Sequence, residues 1–383
     1  MKSAEGAASS EYSLSDDDHE WIRQDHIDRY IETTQASEEP KVIILAGQPG
    51  SGKSALKAAA ISEFPPNARP VVVDVDKLRD SHTLYDELKI QNDRTAAGKV
   101  QRDAGKWGDE LVQDARYSRR NIVIDGTLKS PDKAQTLCKQ FKEAGYRVEL
   151  RALAVRQEDS ELGVYSRFEN LKAKEGRGRW VEISVHDAAY LGLPKSIDRL
   201  NRSQYVDRIE IYRRSPSGSK EIERIYRAAP GKGDPVAVLL DERSREREPQ
   251  EHDWYISEVQ KVKIQIEKRD PGLREVENRE FVEKAKTLEA KSAERDAACR
   301  LVPSERSRVD PSSRGTAATK KWAGGQDREL GQNSHDRWSA AQNAKRGLAA
   351  AEGINRDEGK PAVTEDRWKA AEKKSPIREA FKE

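Results

Sequence analysis

Cysteine is nearly missing from this 383-residue chain: there are two, Cys138 and Cys299, far apart and with no histidine beside them. That excludes a disulfide framework and a cysteine-based zinc site. Long apolar runs are missing as well. None approaches the roughly 18 residues a membrane helix needs, and mean hydropathy is −0.93. Net charge is almost nil, because 70 basic side chains face 68 acidic ones and leave +2. Such a balance argues against a nucleic-acid binder or a protein of anionic membrane surfaces. The first 20 residues run acidic (Asp16, Asp17, Asp18, Glu20) without an apolar stretch, so no Sec-type signal peptide is expected. The expectation is a soluble cytoplasmic protein of a reducing compartment, with neither nucleic acid nor membrane as partner.

Apolar residues make up only 35% of the chain, and they are unevenly spread. From Lys41 to Val155, 33 of 115 residues are large and apolar or aromatic; from Leu301 to Glu383 the count is 12 of 83. The second stretch cannot bury enough surface to offset chain entropy. Four segments follow: an acidic N-terminal segment and helix at 1–40, a principal domain at 41–245, a charged helical segment at 246–300, and a low-hydrophobicity tail at 301–383. The tail repeats Asp336-Arg337-Trp338-Ser339-Ala340-Ala341 as Asp366-Arg367-Trp368-Lys369-Ala370-Ala371, read as two short helices with one aromatic anchor each.

Within 41–245 the runs Val42–Leu45, Val71–Val73 and Ile122–Ile124 are continuous rather than alternating, which suits parallel strands covered on both faces. Arg147–Val155 and Asp207–Tyr212 read as two more strands. Helical spacing over Lys53–Glu63 and Asp109–Arg119 alternates with them. The fold class is therefore α/β, a three-layer sandwich with a mainly parallel sheet, extended at its C-terminal end by charged helical or disordered chain. Trp21, Ile22, Ile27, Tyr30 and Ile31 should share one face of an N-terminal helix. Ile222–Tyr226 and Pro235–Leu240 read as a strand pair, and Trp254–Lys291 as helix broken at Asp270-Pro271-Gly272.

Gly47-Gln48-Pro49-Gly50-Ser51-Gly52-Lys53-Ser54 fits G-x-x-x-x-G-K-[ST] after a strand and before a helix. In this arrangement backbone N–H groups converge on phosphates, Lys53 reaches the β- and γ-phosphates and the Ser54 hydroxyl ligates Mg²⁺. A nucleoside triphosphate is the implied ligand. No N-K-x-D guanine signature is present, which counts against a GTPase and leaves a small-molecule P-loop kinase as the favoured reading.

Such a kinase needs a base and cations over the transferring phosphoryl group. Asp74 and Asp76 end the second strand at i, i+2. Asp76 reads as a base or as a helix cap, and Asp74 as a structural acceptor or an aid to Mg²⁺. Asp125-Gly126-Thr127 ends the third strand, and Asp125 stays open between a substrate contact and a Walker B-like carboxylate. Arg167, Arg179 and the adjacent Arg177 follow the fourth strand where they could fold over phosphates.

In order, GQPGSGKS, VVVDVDKLRDSHTLYDEL, IVIDGTLK, AVRQEDSELGVYSRFEN and GRWVEISVHD resemble the zeta toxins of bacterial toxin–antitoxin systems, over about Trp21 to Arg214. The resemblance implies an ATP-dependent kinase that phosphorylates the 3′-hydroxyl of the sugar in UDP-N-acetylglucosamine, so inhibiting cell-wall synthesis, and a cognate antitoxin protein as partner. It implies Lys53 and Ser54 on the ATP phosphates and Mg²⁺, and Asp76 as the base. Asp109, Asp125, Thr127 and Lys129 would line the sugar-nucleotide pocket, while Arg167 and Arg179 would neutralise the transferring phosphoryl group. The chain departs from the pattern where Asp125-Gly126-Thr127-Leu128-Lys129 replaces the usual Glu-Gly-Thr-Gly-Arg, and where Asp109 replaces a Glu. A Lys cannot make the planar bidentate contact of an Arg, and both changes widen the acceptor side. Thr83 after His82 replaces a usual Pro. Two other readings are a P-loop kinase acting on another nucleotide or cofactor such as NAD, and a nucleotide-regulated interaction protein working through its tail.

Overall fold

Val42 to Ala46 have no solvent exposure, and the strand they form is the centre of the sheet. The computed structural model describes residues 11–215 and 221–301, with side chains to 290. Six strands, β1 (Lys41–Ala46), β2 (Val71–Asp74), β3 (Ile122–Gly126), β4 (Arg147–Leu153), β5 (Arg208–Arg214) and β6 (Ile222–Ala228), lie in the order β2-β3-β1-β4-β5-β6. The first five are parallel, and β6 returns antiparallel along β5. Continuous apolar runs reflect cover on both faces, as expected. Val42 and Ile44 pack with Leu111, Phe141 and Leu193 on one side; Ile43 and Leu45 pack with Leu56 and Ala60 on the other. β4 is less uniform. Glu149 and Arg151 lie almost fully buried within it, and Arg151 pairs with Glu149, Glu63 and Glu210.

In chain order the helices are α1 (Asp16–His26), α2 (Lys53–Ser62), α3 (Val75–Leu78), α4 (Tyr85–Asn92), α5 (Ala96–Lys99), α6 (Gln101–Tyr117), α7 (Pro131–Glu143), α8 (Gln157–Glu175), α9 (Ile183–Asn201), α10 (Pro235–Ser244), α11 (Pro249–Arg269) and α12 (Val276–Leu301). α1 opens on Ser15, whose hydroxyl accepts the Asp18 N–H, and runs into a π-helical turn at Ile27–Ile31. Ile22 and Ile31 are buried as expected, but Trp21, one position round the helix from Ile22, is 48% exposed.

Pro235–Leu240 is not a strand. Asp234 accepts the Val236 and Ala237 N–H groups and Pro235 occupies the first helical position, so cap chemistry decides for the helix α10. Among the described residues β6 pairs with β5 alone.

A second core lies over α8. Tyr255, Val259, Val262 and Ile266 of α11 recur at helical spacing and pack with Leu162, Tyr165 and Phe168 of α8, Trp180, and Phe281 and Val282 of α12. The α11–α12 break is capped by Asp270, whose carboxylate accepts the Arg274 and Glu275 N–H groups. The two tail repeats lie outside the described residues.

Candidate active site

The C-terminal ends of β1, β2 and β3 open on one crevice, where ligands of open parallel sheets bind. β1 delivers Gly47, and the loop turns into α2 through Gly50 (φ +74°) and Gly52 (φ +87°). A Cβ on Gly50 would lie 1.9 Å from the Ser160 carbonyl, and one on Gly163 would lie 2.3 Å from the Gly50 carbonyl. The backbone of α8 thus touches the loop where side chains are absent, and Arg167 follows one turn later. Behind the loop, Arg214 donates to the carbonyls of Gly50 (2.6 Å) and Ser51 (2.8 Å). Gln48 turns inward: its amide donates to Val155 O and Ser160 Oγ, both at 3.0 Å, and its oxygen accepts from Arg243 at 3.0 Å. Ser160 Oγ also lies 2.8 Å from Nε2 of the buried His186.

Lys53 Nζ donates to Gly47 O at 2.6 Å. Burial lowers its ammonium below the ordinary range, against the opposing pull of Asp125 and Asp76. Ser54 is exposed at the open end of α2, and Ser51 Oγ is buried with no hydrogen-bond partner among the described residues.

On the facing side, Asp74 ends β2 and caps α3 by accepting the Asp76 N–H at 3.1 Å. Asp76 keeps a side chain 38% exposed and meets Arg79 at 2.8 Å and Arg179 at 3.9 Å. Arg179 also donates to the Asp76 carbonyl. Burial alone would raise the Asp76 carboxyl; Arg79, Arg179 and Arg167 outweigh it and hold the carboxyl below its ordinary range. Arg167 is short of acceptors. Its Nε and one terminal nitrogen are buried with no hydrogen-bond partner among the described residues, and burial lowers the guanidinium against the pull of Asp76. Arg179 Nε is unsatisfied in the same way. Buried donors without acceptors are costly, and an anion placed among these would supply the missing acceptors.

Asp125 lies opposite Asp74 in the β2–β3 register, and Lys57 Nζ bridges the two at 2.9 and 2.5 Å. Thr127 is half-buried just beyond, and Leu128 adopts φ +48°, its carbonyl accepting from Ser196 Oγ at 2.6 Å. The left-handed conformation falls where the familiar pattern has a glycine. Lys129 and Asp109 are exposed; Asp109 follows Gly108, which packs closely on Val75 beside Asp76. Arg177 is exposed, and His82 is buried, its Nδ1 accepting the Leu84 N–H.

Four residues of this site went unmarked in the sequence. Lys57 stands one helical turn after Lys53, and Arg79 three residues after Asp76, so helix phase could have found both. Arg214 and Arg243 bond to carbonyl and amide oxygens of a loop far away in sequence, and no local signal marks them.

The family model for zeta toxins matches residues 24–224. Toxin PezT of Streptococcus pneumoniae serotype 4 is 30% identical over 184 residues, 48% of this chain and 72% of that protein. Toxin zeta of Enterococcus hirae is 26% identical over 191 residues, 50% of this chain and 66% of that protein, so the chain spans just under two thirds of that relative's length. A solved structure from the characterization of the PezAT chromosomal toxin–antitoxin system of Streptococcus pneumoniae matches with a TM-score of 0.57 at 22% identity, over 67% of this chain and 98% of that one. At that identity the likeness speaks for the fold.

Proposed function

The chain belongs to the zeta toxin family, and from that premise we propose that it is the kinase toxin of a toxin–antitoxin pair, transferring the γ-phosphoryl group of ATP to the 3′-hydroxyl of UDP-N-acetylglucosamine. The observation that carries the reading is the unsatisfied cation cluster around Asp76. Arg167 and Arg179 hold buried N–H groups with no acceptor among the described residues, beside a carboxylate that Arg79 pairs at 2.8 Å and Arg179 approaches at 3.9 Å.

The loop from Gly47 to Ser54 holds the triphosphate, with Lys53 released from the Gly47 carbonyl onto the β- and γ-oxygens. The fit is favourable, since Gly50 and Gly52 supply the left-handed backbone the turn requires and Ser51 Oγ lacks a partner among the described residues. Ser54, exposed at the end of α2, would hold Mg²⁺, which neutralises phosphate charge when bound. Arg167 and Arg179 turn their free N–H groups onto the transferring group. Engaging them there withdraws cations from Asp76, whose carboxylate becomes a better base as the acceptor hydroxyl arrives. Asp76 takes that proton. Asp125, Thr127, Lys129 and Asp109 face the acceptor side, with Asp125 contacting the sugar nucleotide.

Mass spectrometry of UDP-N-acetylglucosamine and NAD after incubation with the protein and ATP–Mg²⁺ tests the reading. The expected result is one added phosphate on the sugar nucleotide, absent with Lys53→Ala and Asp76→Ala. Phosphorylation of NAD alone would replace the acceptor; no phosphorylated product with the parent protein would overturn the proposal. Expression without a cognate antitoxin is expected to arrest growth, and Asp76→Ala to relieve the arrest.

A further inference from the structure

Two carboxylates face each other across adjacent strand ends, in a register that pairs Asp74 with Asp125. Unneutralised, they would repel each other and draw Lys53 away from the loop. The group between them is the amine of Lys57, 2.5 Å from Asp74 Oδ2 and 2.9 Å from Asp125 Oδ2, with all three side chains at most 16% exposed. The other oxygen of Asp74 accepts the Asp76 N–H at 3.1 Å. One ammonium thus fixes Asp74, and Asp74 fixes the backbone that carries Asp76.

We propose that Lys57 is a positioning residue: an internal cation that clamps Asp74 and Asp125 and, through the Asp74–Asp76 hydrogen bond, sets Asp76 toward the acceptor hydroxyl. The proposal rests on the reading of Asp76 as the proton acceptor. Lys57 does not touch the triphosphate loop: its two partners are carboxylates, whereas Lys53, one turn earlier, bonds loop carbonyls. The two lysines on one helical face therefore divide the work, Lys53 for the donor and Lys57 for the base. The clamp also engages one oxygen of Asp125, which restrains that carboxylate on the acceptor side of the crevice.

The test uses the full chain with Lys57→Met and Lys57→Arg. In the ligand-free protein, hydrogen exchange of the Asp76 amide is expected to quicken about tenfold in Lys57→Met and to stay near the parent rate in Lys57→Arg. With ATP–Mg²⁺ and UDP-N-acetylglucosamine, Lys57→Met is expected to lose about 100-fold in kcat while KM for ATP stays within about threefold. Lys57→Arg should recover most of that loss. Should Lys57→Met not fold, Lys57→Gln keeps the packing and a donor without the charge, and the same losses are expected of it.

Parental exchange and parental kcat in Lys57→Met, or in Lys57→Gln in its place, would overturn the proposal. So would a loss that Lys57→Arg leaves unrepaired, which marks mere packing. Asp76→Asn separates the two readings. If it is inactive while Lys57→Met matches the parent, only the role of Lys57 fails. If Asp76→Asn keeps the parental kcat, the base assignment fails, and the proposal for Lys57 falls with it.

Discussion

The two walls of the crevice are built by opposite means. The wall proposed for the donor is backbone held from behind: loop carbonyls on Arg214, the Gln48 amide among Val155, Ser160 and Arg243, and glycine against helix at Gly50 and Gly163. The wall proposed for the acceptor is side-chain charge, with Lys57 between two carboxylates and three arginines around Asp76. A phosphate chain is the same in every nucleotide, so its cradle can be made of invariant peptide groups. An acceptor differs from one enzyme to another, and side chains are the part of a protein that can differ with it. The donor arginines bear this out in their chemistry. Burial pulls Arg243 down to about 10 and lowers Arg214 as well, because each bonds carbonyl or amide oxygens rather than a contacting carboxylate.

The comparison can be pressed hardest with acid. The segment after Asp76 rests on His26, whose Nε2 lies 2.9 Å from Ser81 Oγ and whose burial holds it down to about 4. The unfolded chain takes up that proton near pH 6.5 and the folded one only near 4. Stability is therefore full above about 6.5 and falls as pH drops through the window to 4, by up to about 3 kcal/mol. Chemical denaturation at pH 7 and pH 4.5 should show this loss, and His26→Phe should remove most of its pH dependence. Next comes the contact that joins the two walls. Gly163→Ala drives a methyl into the Gly50 carbonyl, and Arg167 shifts with α8; kcat should fall about 100-fold with the secondary structure intact by circular dichroism. Arg214→Met should raise the dissociation constant for ATP about tenfold in calorimetry, and leave binding of UDP-N-acetylglucosamine alone unchanged. A larger effect on the acceptor would break the division of labour. The smallest effect is at Leu128. Leu128→Gly removes left-handed strain and loses some packing, so stability should stay within about 1 kcal/mol of the parent, while Leu128→Ala keeps the strain and falls further.

The donor wall was legible because its motif is local. Gly47 to Ser54, the strand before and the helix after are consecutive residues, and the β-branched runs told their own burial. Asp74 and Asp125 were legible for the same reason, each at a strand end, whereas Asp76, read as ending the same strand, lies in the first turn of α3 because the Asp74 carboxylate caps a helix there. The arginines behind the loop were not, since Arg214 and Arg243 lie 163 and 195 residues from the atoms they hold. An arginine that bonds a carbonyl has no partner residue type to betray it. Pro235–Leu240 misled because its apolar run outweighed Asp234-Pro235, a cap and first-turn pair that fixes the start of a helix. Trp21 misled because hydrophobicity was read without phase: Ile22, next in sequence, takes the inward position.

The family match stops at residue 224, yet the helix that bears Arg167 is roofed by α11 and α12. A shortened gene product cut at that boundary would lay bare Leu162, Tyr165 and Phe168, an oily stripe a folded monomer cannot leave wet. Anyone trimming the gene to its recognisable portion should expect inclusion bodies, and the smallest well-behaved fragment has to run beyond Ala285.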